Sequence, residues 1–193
     1  MKTKMIVYFL TLVSWSTFAQ HDHGSGQGST PVHNRIKDMS HSYRAVPAFQ
    51  MQLREVFIAS LELKEALVSS DAGKTSASTP EVKNSISKVD MSLLNDEALM
   101  DWMSYLKTLN ESVEQISAST DLSLQRKAFA SFSDALYKSV KMFGLGGMRA
   151  YHEFCPMANN KAGAYWLSDS KEIRNPYFGN DMLTCGKVKE TIR

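Results

Sequence analysis

Five side chains near the C-terminal end of this 193-residue chain have the types that soft-metal or thiol chemistry requires. His152, Cys155 and Met157 fall together in the run His-Glu-Phe-Cys-Pro-Met. Met182 and Cys185 fall together in Met-Leu-Thr-Cys-Gly. Thiolates and thioethers are soft donors and select Cu(I) or related ions. A Cys-x-Met pair in an extended segment puts both sulfurs on one side, and a Met-x-x-Cys turn can do the same. The spacing therefore allows four sulfurs to close around one small ion, with the His152 imidazole as an additional donor. A structural zinc site fits less well, because zinc usually takes four Cys or His ligands and this stretch offers three.

The same two cysteines are the only ones in the chain, so a Cys155–Cys185 disulfide is the competing reading. It would close a loop of about 30 residues and stabilise the fold by roughly 3–4 kcal/mol in the chain-entropy account. The residues alone leave metal and disulfide both open. An enzyme is not expected. There is no Cys-x-x-Cys redox pair, no nucleophile elbow and no second histidine near His152 to build a hydrolytic centre. Asp169, Glu172 and Asp181 read as solvated loop charges, and Tyr165 and Trp166 as packing residues.

The elements that must hold these residues are read from periodicity. Phe49, Leu53, Val56, Phe57, Ser60, Leu61, Leu63 and Leu67 recur at helical spacing and predict a first helix from about Val46 to Ser69, with Asp71-Ala72-Gly73 as its stop. A weaker second helix lies within Lys74 to Leu94. Ser78 and Glu81 resemble a capping box there, and Pro80 fits a first turn. Leu99, Met103, Leu106, Leu109, Val113 and Ile116 mark a third helix starting near Asn95-Asp96. Asp121 caps a fourth, with Leu124, Phe129, Phe132, Leu136, Val140 and Phe143 as its core stripe and Gly144, Gly146 and Gly147 as its end. Met100, Met103 and Met142 are read as core gap-fillers, and Trp102 and Tyr105 as core or interface residues. The expected fold is all-α: an up-and-down four-helix bundle with an irregular C-terminal cap over about 148–193 containing short extended segments. Those segments are Met148 to Phe154 and Ala162 to Leu167.

Ahead of the bundle, Lys2 and Lys4, the apolar run Met5 to Val13 and Thr17-Phe18-Ala19 read as a secretory signal over residues 1–19. The run is too short to span a bilayer. Cleavage after Ala19 removes two lysines and no acid, so the formal charge falls from +2 to zero. A neutral mature chain gives no electrostatic case for nucleic acid or an anionic membrane. Residues 20–42 read as a polar spacer, in which His21 and His23 beside a new N-terminus form a weak candidate site for Cu(II) or Ni(II). Residues 43–193 then form the helical domain with its Cys/Met cap. Export places the cysteines in an oxidising compartment, periplasmic or extracellular.

Several runs carry a family resemblance. Phe154-Cys-Pro-Met-Ala158, Gly163-Ala-Tyr-Trp-Leu-Ser168, Glu172-Ile-Arg-Asn-Pro-Tyr-Phe-Gly179 and Met182-Leu-Thr-Cys-Gly186 resemble the C-terminal signature of the domain of unknown function 3347 family, and Leu61 to Asp71 resembles its opening helix. The resemblance covers about residues 50–192. It implies an exported bacterial protein handling a soft metal, copper(I) or silver, with a heavy-metal efflux or envelope protein as partner, since the family also occurs fused to periplasmic adaptors of such pumps. Carried onto this chain, it points to Cys155, Met157, Met182 and Cys185, with His152 as a weaker addition.

Overall fold

The computed structural model describes residues 45–193. The expected signal (1–19) and spacer (20–42), with His21 and His23, lie outside the described residues. Four helices come first: α1 (Pro47–Val68), α2 (Ala72–Ser87), α3 (Asp96–Ala118) and α4 (Leu122–Phe143). Short 3-10 turns at Met91–Leu93 and Gly179–Met182 punctuate the chain, and three strands follow α4: β1 (Ala150–Cys155), β2 (Ala164–Ser168) and β3 (Lys187–Ile192).

The helices form where the apolar spacing places them, but two boundaries differ from expectation. Asp71 does not end α1. It caps α2, its carboxylate accepting from the Lys74 N–H at 2.8 Å, while the chain turns at Ser69 and at Ser70, which takes a left-handed φ of 56°. Pro80 consequently lies inside α2, not in a first turn. An interior proline leaves the carbonyl four residues back without its helical donor. That carbonyl belongs to Ser76, and the Thr79 hydroxyl donates to it at 2.8 Å. The helix therefore continues through a residue that ordinarily breaks it. Ser78 is no cap: its hydroxyl donates to the Thr75 carbonyl.

The core runs through all four helices. Phe49, Trp102 and Phe143 meet at its first end, with ring centroids 5.3 Å apart for Phe49–Trp102 and 5.0 Å for Phe49–Phe143. On α3 the buried face is Ala98, Trp102, Leu109, Val113 and Ile116, so Trp102 takes the place expected of Met103. Met100 and Met103 are exposed, as is Leu124 on α4, while Met142 is buried. One indole fills more of a bundle core than a thioether, which rotates the first turns of α3 by one residue. At the other end, the buried Gln125 amide donates to the Ala72, Ile116 and Ser119 carbonyls and so ties α2 to the C-terminus of α3.

The C-terminal region corrects the all-α expectation. It is an antiparallel sheet of order β2-β1-β3, not an irregular cap. β1 and β2 form the hairpin suggested by the extended segments, with Glu153 opposite Trp166 and Cys155 opposite Ala164. β3 completes the sheet on the other side of β1, with an irregularity in register between His152 and Glu153. Its run Lys-Val-Lys-Glu-Thr-Ile alternates exposed and covered residues, as a strand with one solvated face requires. Helix α4 packs on the sheet through Phe129, Tyr177 and Trp166: ring centroids lie 6.0 Å apart for Phe129–Tyr177 and 5.9 Å for Trp166–Tyr177.

The turn carrying Met182 is pinned against the α1–α2 corner at Gly179, where φ is +58° and an added Cβ would stand 2.6 Å from the Val68 carbonyl oxygen and 2.3 Å from the Ser70 hydroxyl. Gly179→Ala is expected to destabilise the protein by on the order of 2–3 kcal/mol, seen as a lower urea midpoint. Gly73→Ala, inside α2 with only Asp71 at 3.4 Å, is expected to be neutral or to stabilise by up to about 1 kcal/mol.

Candidate functional site

The two cysteines end up side by side. Cys155 closes β1 and is buried; Cys185 precedes β3 and is partly covered. Their Sγ atoms are 2.8 Å apart. Cys185 is held by the 3-10 turn through its N–H to the Met182 carbonyl, and its own carbonyl accepts from the buried Asn175 side chain at 2.8 Å. The Asn175 carboxamide also accepts from the Tyr177 N–H, so one side chain fixes both the Cys185 segment and the aromatic residue that meets α4. Gly186 follows because no side chain fits there: an added Cβ would stand 2.9 Å from Trp166. The neighbouring Cys155 thiol, together with partial burial, pushes the Cys185 thiol up to about 11, against which the Met157 backbone N–H pulls.

The thioethers line a groove that the thiols do not. β1 stops at Cys155 and the chain turns at Pro156, so the extended geometry that would align Cys155 with Met157 is missing. Met157 and Met182 are 41% and 36% exposed, and both line a groove of about 750 Å³ between α4, the β1–β2 loop and the 3-10 turn. Neither cysteine lines it. His152 stands three residues before Cys155 on the same strand and so faces the opposite side of the sheet. Its ring is stacked between Tyr137, at 3.6 Å between centroids, and Tyr165, at 4.6 Å. Burial holds the imidazole well below its ordinary range, at about 4. Among the described residues, no three His, Cys, Asp or Glu side chains gather into a group able to hold a metal ion. A metal between two thiolates, each at about 2.3 Å, needs the sulfurs roughly 3.8 Å apart in tetrahedral geometry, so seating one here requires them to separate. Asp169 and Glu172 are exposed loop residues, Asp181 is exposed in the 3-10 turn, and Trp166 is buried.

A second group escaped the sequence reading. Glu153 is fully buried, and neither carboxylate oxygen finds a hydrogen-bond partner. Burial pushes its carboxyl up to about 7, opposed by the charge of Lys64 and by the Trp166 indole, which lies near without completing a hydrogen bond. Lys64 is itself buried, 3.0 Å from the Glu65 carboxylate and 3.3 Å from the Ser168 hydroxyl. Glu65 in turn accepts from the Arg174 guanidinium at 2.8, 3.0 and 3.3 Å. The available signal was positional: Lys64 falls on the same stripe as Phe57, Ser60 and Leu67, where a charge must be compensated from another element.

Residues 56–147 match the family model described as protein of unknown function (DUF3347). The matched residues are the helices from within α1 to the turn after α4. The sheet with its cysteines and methionines lies beyond the matched segment, although the C-terminal runs had carried most of the resemblance. No curated protein and no solved structure matches the chain. No described helix is long and apolar enough to cross a membrane.

His152 and Glu153 oppose each other in their pH dependence. Glu153 has a folded value above its ordinary 4.5, so its burial costs nothing below pH 4.5, and stability is lost as pH rises towards 7. His152 has a folded value below its ordinary 6.5, so its burial costs nothing above pH 6.5, and stability is lost as pH falls towards 4. Thermal unfolding of Glu153→Gln is expected to show a gain at pH 8 on the order of 2 kcal/mol and none at pH 4. His152→Gln is expected to remove the loss on the acid side.

Proposed function

We propose that the protein is a disulfide-stapled helical interaction module of the cell envelope, working by binding and without turnover. The observation that carries this reading is the 2.8 Å approach of the Cys155 and Cys185 sulfurs at the covered end of β1. Met157 and Met182 line a groove that neither cysteine lines, and His152 lies on the other face of the sheet. In an oxidising compartment, an exported thiol–disulfide oxidant would accept two electrons and two protons from the pair as the S–S bond forms. The link would fasten the β1 terminus to the segment leading into β3. The helices of the family domain then form the scaffold, and the sheet is a cap locked onto it.

A second reading has its own support. Met157 and Met182 stand within two and three residues of the thiols and share one groove, so four sulfurs occupy one corner of the molecule. If the pair is reduced and the sulfurs separate, two thiolates with a nearby thioether would suit Cu(I), with a heavy-metal efflux protein as partner.

Thiol titration separates the two. Full-length protein exported and purified without reductant is expected to show no free thiol. Reduction is expected to lower its melting temperature by on the order of 10 °C, from about 3–4 kcal/mol of lost cross-link stabilisation, and Cys155→Ser/Cys185→Ser should melt like the reduced protein. Two titrating thiols in freshly isolated material would sink the staple. Cu(I) or Ag(I) binding by the reduced chain that is no tighter than that of the double variant would sink the metal reading.

A further inference from the structure

The groove that takes Met157 and Met182 has a composition that specifies an occupant. Its floor is apolar: Tyr177 and Phe178 from the segment before the 3-10 turn, Ala130 from α4, and the two methionines. Its rim is basic, with Arg126, Lys127 and Lys161, and no acidic residue lines it. Arg126 is already engaged. Its guanidinium donates to the Pro176 carbonyl at 3.0 Å and to the Ser70 hydroxyl at 2.9 Å, and the Asp181 carboxylate lies near enough to act on it. Lys127 and Lys161 are exposed and have no ion-pair partner among the described residues. They stand on different walls, one on α4 and one in the β1–β2 loop. The loop wall is shaped by three consecutive left-handed residues, Asn159, Asn160 and Lys161, with φ of 50°, 54° and 68°.

An exposed pair of thioethers is an adaptable apolar surface, and about 750 Å³ is the size of a site for a drug-sized ligand or a few side chains. Two uncompensated ammonium groups on opposite walls set the sign of what lies between them. We propose that this groove is the docking site for an acidic peptide segment of a partner protein, one that seats a large apolar side chain on the methionines and places flanking carboxylates against Lys127 and Lys161. This rests on the reading of the protein as an interaction module. It also gives the thiol pair a second task. Cys155 and Cys185 lie at the roots of the two segments that carry Met157 and Met182, so the link between them would hold two walls of the groove in register.

The test is a titration of the full chain, purified oxidised and carrying ¹³C-methyl-labelled methionines, with three probes: the peptide DELFDE, its charge-reversed form KKLFKK, and decanoate. DELFDE is expected to shift the Met157 and Met182 methyl signals saturably, with affinity falling at least about tenfold in Lys127→Glu/Lys161→Glu and weakening in about 0.5 M salt. KKLFKK is expected to leave both signals in place. Four results would overturn the proposal: no shift of either methyl at millimolar DELFDE, equal binding of KKLFKK, unchanged affinity in the double variant, or a response to decanoate alone, which would mark an acyl-anion site instead. Shifts confined to the exposed Met51, Met100 or Met103 would also overturn it, by moving docking to the helices, and would leave the interaction-module reading standing. Thiol titration bears on the staple alone, so failure there and failure here are separate results.

Discussion

The aromatic seam of Phe129, Tyr177 and Trp166 is the contact on which the C-terminal half depends. A three-stranded sheet is too small to be stable without cover on one face, and α4 supplies that cover along this seam. Trp166 belongs to β2, Tyr177 to the segment before the 3-10 turn and Phe129 to α4, so one apolar contact joins three separate parts of the chain. The approach of the two sulfurs, the position of Met182 and the floor of the groove all follow from where Tyr177 sits. Asn175 and Gly179 refine that position with hydrogen bonds and close packing. Polar ties to the helices, such as Arg174 on Glu65 and Arg126 on Pro176, are more exposed and are worth less individually.

The helical half was largely legible because its physics is local. Spacings of three and four residues located α1, α3 and α4, and Asp121 and Gly144 marked both ends of α4. What failed there failed for reasons outside the local pattern. Asp71 is equally suited to follow one helix or to start the next, and only the closeness of α1 and α2 decides between them. Pro80 reads as a boundary because its missing N–H is visible in the sequence, while the Thr79 hydroxyl that covers the bereft carbonyl is not. Met103 and Trp102 compete for one core position, and the winner depends on the space left by Phe49 and Phe143.

The site was legible in part. The meeting of Cys155 and Cys185 was foreseeable from their being the only two thiols. That the methionines line a groove which the cysteines do not was not foreseeable, because it depends on where β1 ends: Met157 lies two residues beyond the strand. β3 escaped notice because its alternation is carried by only Val188 and Ile192. The buried Glu153 and Lys64 belong to elements distant in sequence, so neither had a visible partner. These two charges also tie the sheet to the bundle: β1 carries a buried acid, and α1 a buried base whose charge acts on it and which reaches Ser168 on β2.

The order of the strands also bears on how the chain assembles. β2 pairs with β1 across a short hairpin, and each helix packs on its neighbour in sequence, all contacts that chains make early. β3 must return across the intervening hairpin and turn to reach the far side of β1, a closure with a larger entropy cost. Cys185 stands immediately before that strand. The sulfurs are therefore neighbours once the last strand has docked. A bond formed between them at that moment would act as a latch on the finished fold, set after the fast local steps and holding the slowest piece in place.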